Sequence, residues 1–183
     1  MEKVWMMGLA LLAVVCFSFQ GAGMAASKHN GELTPEKAVE LAANWDATKS
    51  LVQAGGNYKE GEYKSFTYKG TPYRFMAGHL DRQRELMAEL EKSLTKKGAK
   101  QYVKDSGFIK YKGKIAQIEA DGGSLLEWNK AKAKELTSSK NKKVFQLNVP
   151  IAGMAEAEIY QVTYEYVNKT GWRLSQLPVL VTK

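Results

Sequence analysis

A chain of 183 residues with 27 lysines and arginines against 19 aspartates and glutamates carries a net charge of +8, and its length suits one domain of ordinary size. Its one cysteine, Cys16, lies in an apolar N-terminal run, so the remainder has no disulfide, thiol nucleophile or thiolate metal site. His29 and His79 alone build neither a hydrolytic triad nor an ordinary zinc site. The positive surplus favours anionic partners through fields that salt screens.

Lys3 opens a secretory signal: an apolar run from Met6 to Phe19 follows, then the small residues Gly21 to Ala26. The run is shorter than the about 20 residues a membrane span needs. Cleavage is expected after Ala25 or Ala26, making residues 1–26 a signal peptide and 27–183 a single secreted domain. The signal removes Glu2 and Lys3 together, so the charge stays at +8.

Thr34-Pro35-Glu36 starts a helix, with Thr as N-cap and Pro at the first position. Ala38, Leu41, Ala42 and Trp45 give it a buried face as far as Val52, and Gly55-Gly56 stops it. Strands are expected over Lys64 to Tyr68 and Tyr73 to Met76, joined by a turn at Lys69-Gly70-Thr71-Pro72. Asp81 is expected to cap a second helix bearing Leu86, Leu90 and Leu94, and Thr95 a third running through Val103. Phe108 to Tyr111 and Ile115 to Ile118 read as strands around a Lys112-Gly113 turn. Leu125 to Leu136, Val144 to Val149, Ile159 to Val167 and Trp172 to Val181 read as further strands. Helices first and an antiparallel meander afterwards is the α+β pattern, with helices on one face of a curled sheet and a cystatin-like or nuclear-transport-factor-like cone as the nearest shape.

No catalytic residue, metal ligand or cofactor site emerges. Glu85, Glu89 and Glu91 lie beside Arg82, Arg84 and Lys92 as solvated helix charges. Gly122-Gly123 lacks the lysine and hydroxyl of a phosphate loop. Trp45, Trp128 and Trp172 are expected in the core. Tyr58, Tyr63 and Tyr68 alternate with Lys59, Lys64 and Lys69, which reads as a solvated strand face with the tyrosines packed beneath; no nucleic acid is expected as a partner. Asn168-Lys169-Thr170 is a turn. Ala120-Asp121-Gly122-Gly123-Ser124 is a flexible acidic segment on a basic background, between two strand regions where recognition tends to sit; its plain alternative is an Asp-Gly turn.

Tyr73-Arg74-Phe75-Met76, Asp81 to Leu86, Gly113 to Gln117, Gly171-Trp172 and above all Asp121-Gly122-Gly123-Ser124-Leu125-Leu126-Glu127-Trp128 resemble the IseA-type inhibitors of bacterial DL-endopeptidases. The resemblance covers most of the chain after Leu33. It implies a secreted, wall-associated inhibitor from a Gram-positive bacterium that blocks the catalytic domain of an NlpC-type peptidase by inserting a loop into its cleft, and so needs no chemistry of its own. Asp121, Gly122, Gly123 and Ser124 are then the contact loop, with Glu119 as a helper; Gly55 to Gly61 is a second candidate. A monomer without cofactors is expected, and the +8 charge points to anionic wall polymers as a further partner. Two other readings stay open at this level: a basic wall-polymer- or membrane-surface-binding module, and a cone enclosing a small-molecule pocket.

Overall fold

The computed structural model describes residues 31–119 and 123–181. The expected signal segment and its cleavage point lie outside the described residues, as do His29, Ala120, Asp121 and Gly122. From Gly31 onward the chain packs as one compact unit.

Helix α1 (Pro35–Gln53) begins as its first residues dictate: the Thr34 side chain accepts from the Lys37 amide at 3.3 Å and Pro35 fills the first turn. Ala38, Leu41, Ala42, Trp45, Thr48 and Val52 form its buried stripe. After it come β1 (Ser65–Tyr68) and β2 (Thr71–Phe75), paired antiparallel with Phe66 opposite Tyr73. Lys69 and Gly70 between them have φ of 51° and 81°, the two positive values that a two-residue turn needs to match the strand twist. Helices α2 (Gln83–Leu90) and α3 (Lys96–Asp105) intervene before the hairpin of β3 (Ile109–Tyr111) and β4 (Lys114–Ile118), which turns at Lys112 and Gly113 with φ of 47° and 83°. Thr95 caps α3 as expected, accepting from the Gly98 amide.

Asp81 does not cap α2. Arg82 holds the N-cap position without a side-chain bond, while Asp81 is buried and pairs with Lys114 at 2.7 Å, its carbonyl accepting from the Ile115 amide at 2.7 Å. A tertiary ion pair to β4 has displaced the local cap.

The strands form two sheets rather than one curled sheet. In the first, β4 pairs with β2 across both helices, giving the order β1-β2-β4-β3. The second contains β5 (Lys132–Ser138), β6 (Lys142–Pro150), β7 (Ala157–Val167), β8 (Gly171–Leu174) and β9 (Val179–Leu180), all antiparallel. Strand β5 is shorter than expected because Trp128–Lys130 form a 3-10 turn, and a bulge shifts the register between Glu135 and Thr137. The expected last strand is broken: β8 pairs with one half of β7 and β9 with the other, with residues 175–178, ending in Pro178, between them. The α+β class holds.

The core lies between α1 and the second sheet. Tyr164 of β7, fully buried, donates to the Ala38 carbonyl at 2.6 Å, and Phe145, Leu147, Val149 and Val162 line the same layer. Trp45, Trp128 and Trp172 are all buried, as expected; Trp45 meets Tyr102 of α3 edge-on at 5.2 Å. Each fully buried leucine of this core contributes roughly 1.5–3 kcal/mol through removal of apolar surface from water. The link from α2 to α3 runs beside β8, with Leu174 accepting from Thr95 and donating to Ser93. The first sheet docks on the end of α1, where the terminal carbonyl of Gln53 accepts from Gln117 at 2.9 Å and from Arg74.

Candidate functional site

The segment between the two sheets is held at both ends. On one side, Glu119 follows β4 directly: its amide donates to the Pro72 carbonyl at 3.0 Å and its carboxylate accepts from the Tyr63 hydroxyl. On the other side, Leu126 forms an antiparallel bridge with Ile151, the Ala152 amide donates to the Leu125 carbonyl at 2.7 Å, and the Glu127 amide donates to the Pro150 carbonyl at 2.8 Å. Beyond these bonds Trp128 is buried, its ring 4.8 Å from that of Tyr160.

Of the residues expected in the contact loop, Gly123 and Ser124 are exposed, a β-carbon at Gly123 would point into open space, and the Ser124 hydroxyl accepts from the Leu126 amide at 3.1 Å. Leu125 beside them is 61% exposed, the largest exposure among the exposed large apolar side chains. Glu119 stands at the loop's first anchored end, next to β2 and Tyr63. Asp121 and Gly122 fall among the residues not described.

The alternative loop, Gly55 to Gly61, is tied into the fold. Gly55 and Gly56 are buried, the Gly55 carbonyl accepts from the Ala77 amide at 2.8 Å, and Tyr58 donates its hydroxyl to the Phe75 carbonyl at 2.6 Å. Glu62 closes it by accepting from the amides of Lys59 and Gly78, at 2.8 and 2.6 Å; these two bonds hold its carboxyl below the usual range. His79 is exposed, and its ring edge lies close to Gly56.

The small-molecule reading finds little room near the core. The cavity under Trp45 and Trp128 measures about 140 Å³, against the roughly 300 Å³ and more of ligand sites. Burial raises the carboxyl of Asp46 at its wall above the usual range. Among the described residues no three histidines, cysteines or carboxylates gather as for a metal.

Sequence reasoning misplaced one feature. Of the three tyrosines expected beneath a lysine face, Tyr63 and Tyr68 are exposed and Tyr58 is half-buried, and the rings of β1 and β2 are themselves on the outward face. By strand alternation Phe66, Tyr68, Tyr73, Phe75 and Tyr111 share that face, and each is half-buried or exposed. Phe66 stacks on Tyr111 at 4.3 Å and lies 6.0 Å from Tyr73. Strands β1 and β3 are the edges of this sheet, so rings that meet across two intervening strands show that it curls toward them. The readable signal was Tyr-Lys-Gly occurring twice, at 68–70 and 111–113, each time at a hairpin tip.

The site region is thus an α+β domain in which the residues on either side of the expected loop, Glu119 and Leu126, are fixed by backbone bonds. The comparison with known families says of what kind: the chain belongs to the IseA DL-endopeptidase inhibitor family, whose pattern matches residues 29–179. It is also similar to the uncharacterized protein YoeB of Bacillus subtilis (strain 168), with 25% identity over 160 residues that cover 85% of this chain and 88% of that protein.

Proposed function

We propose that this chain is a secreted, non-catalytic inhibitor that blocks an NlpC-type DL-endopeptidase of the bacterial wall by seating the loop Asp121 to Ser124 in its active-site cleft. Membership of an inhibitor family carries the reading. The geometry supports the loop assignment: both flanks are fixed by backbone bonds while Gly123, Ser124 and Leu125 stand in solvent. A segment tethered at both ends loses less conformational freedom on binding than a free tail. Asp121 supplies a carboxylate that can imitate the acidic stem peptide, for which the cleft of such a peptidase carries hydrogen-bond donors. Glu119, whose carboxylate accepts from Tyr63, is the second negative group of this reading. The inhibitor acts as a monomer and uses no cofactor.

The test is hydrolysis of peptidoglycan by a purified NlpC-type domain with the chain from Ser27 onward titrated in. Inhibition saturating at one-to-one is expected. No inhibition at large excess and low salt overturns the reading. Asp121→Lys is expected to weaken binding by more than about tenfold, of the order reported for loss of a charge-assisted contact; unchanged affinity removes the loop assignment while leaving the inhibitor reading intact.

A further inference from the structure

We propose that the outward face of the first sheet is a second binding surface, which holds a flexible phosphodiester polyanion without bases, of the polyol-phosphate type. Four lysines rim the aromatic cluster. Lys64 and Lys114 share its face by strand alternation, and Lys69 and Lys112 sit at the two hairpin tips. Lys69 lies over the Tyr68 ring at 5.4 Å and Lys112 over the Tyr111 ring at 5.5 Å, so both ammonium groups are steered back over the face. Among the described residues only Lys114 of the four has a carboxylate partner, Asp81. Glu62, the acid nearest in sequence, is occupied by two backbone amides.

Three of these lysines converge. Lys64, Lys112 and Lys114 line one cleft of about 340 Å³ together with Phe75, Met76 and Glu62, whose carboxylate is taken up by the Lys59 and Gly78 amides; the size is that of a site for one unit of a polymer. Both tips also run against local preference. A lysine with φ near +50° carries a strain that asparagine or glycine at the same place largely avoids. The same Tyr-Lys-Gly arrangement stands at both ends of one small sheet and puts cationic charge at each end of the aromatic surface; Lys169, with φ 72° at the tip between β7 and β8, shares the conformation but not the surface.

The chemistry of the occupant follows from which cation is used and how the rings stand. All four rim cations are lysine, a compact point charge suited to phosphates in no fixed orientation. The sheet's one arginine, Arg74, is turned to the other side and bonds Gln53. Carboxylates held in fixed geometry would favour arginine forks instead. Nucleic acid would need open ring faces for base stacking, but Phe66 has Tyr111, Tyr73 and Phe75 against it at 4.3, 6.0 and 4.7 Å. The faces of Tyr68 and Tyr111 lie under Lys69 and Lys112, and tyrosine hydroxyls can donate to phosphate oxygens. Such a surface fits a chain of phosphates joined by small polyols, and would keep the protein on a wall that carries one. The choice of a wall polymer rests on the inhibitor reading above.

The experiment measures retention of the chain from Ser27 onward on immobilised poly(glycerol phosphate) as salt is raised, with no peptidase present, so that it and the inhibition assay fail separately. Two variants lose three charges each: Lys64→Gln/Lys69→Gln/Lys112→Gln on the face, and Lys132→Gln/Lys134→Gln/Lys140→Gln on exposed positions of and beside β5. The face variant is expected to lose about tenfold or more in affinity and to show a shallower salt dependence, while the β5 variant stays within about threefold of the parent. Equal losses in the two variants mean that net charge alone binds, and overturn the site. Absence of retention by the parent at low salt overturns it as well. A base-bearing single strand of equal charge is expected to bind more weakly; binding as tight as the polymer's overturns the assignment. Inhibition of the peptidase on a short soluble muropeptide is expected to be unchanged in the face variant, and a parallel loss there would make this face part of the peptidase interface instead.

Discussion

Gly56 turns the chain at φ 90° where there is no room for a β-carbon: one placed there would lie 2.9 Å from both the His79 ring and Leu80 Cδ1. Gly70 has a similar φ of 81° in open space. Gly56→Ala therefore combines left-handed strain with overpacking and is expected to cost about 2 kcal/mol or more, against about 1 kcal/mol for Gly70→Ala. Urea unfolding of the two variants checks the difference; equal losses would show that Leu80 and His79 simply move aside. Glu62 makes a separate prediction at this scale. Its carboxyl is held below the ordinary value of 4.5 by the amides of Lys59 and Gly78, so the folded chain binds that proton less readily than the unfolded one. Its contribution is complete above the ordinary carboxylate value and is lost as pH falls through the lowered one. Glu62→Gln is expected to make the acid decline in stability shallower, seen as a smaller fall in urea midpoint between about pH 5 and pH 3.

At the scale of elements, the two capped helices and the two lysine tips were legible for different reasons. Thr34-Pro35 and Thr95 act within their own turn, so the sequence alone locates α1 and α3. Thr34→Ala and Thr95→Ala are each expected to cost about 1 kcal/mol and to add in the double variant, because the caps share no partner. Asp81 looks equally cap-like, but Lys114, distant in sequence, claims its carboxylate; no local pattern announces that. The hairpin tips read correctly as turns from Lys-Gly, while the direction in which Phe66, Tyr68 and Tyr73 face depends on which side of the sheet docks on Gln53. The tips also link stability to the proposed surface. Lys69→Asn with Lys112→Asn is expected to stabilise the hairpins by about 0.5 kcal/mol in all, since asparagine tolerates left-handed backbone, while polymer retention falls. A thermal melt and the retention assay on the same sample check the opposed signs.

Across the whole molecule, the strands were legible and their grouping was not. Alternation marks β6 and β7 plainly, but the pairing of β2 with β4 encloses α2 and α3, a closure decided by long-range packing rather than local pattern. The flanks of the proposed contact loop, Glu119 and Leu126, belong to different sheets, so where they anchor was hidden for the same reason, even though Asp121 to Trp128 is the most distinctive run in the sequence. Packing of this kind also sets how the molecule responds to alkali. Tyr58 comes from the Gly55 to Gly61 loop, Tyr102 from α3 and Tyr160 and Tyr164 from β7, and burial raises all four phenols above their ordinary value of 10.0, Tyr160 to about 12 with help from its bond to Glu158. A raised phenol keeps its proton in the folded chain at a pH where the unfolded chain has released it. Unfolding therefore liberates protons above pH 10, and stability falls as pH rises there while remaining complete below. Denaturant midpoints measured from about pH 8 to pH 11.5 are expected to hold level and then decline, with Tyr160→Phe declining less steeply. A level profile over that whole range would mean that these hydroxyls meet water in the folded chain, which is incompatible with Tyr164 closed against Ala38 in the middle of the core.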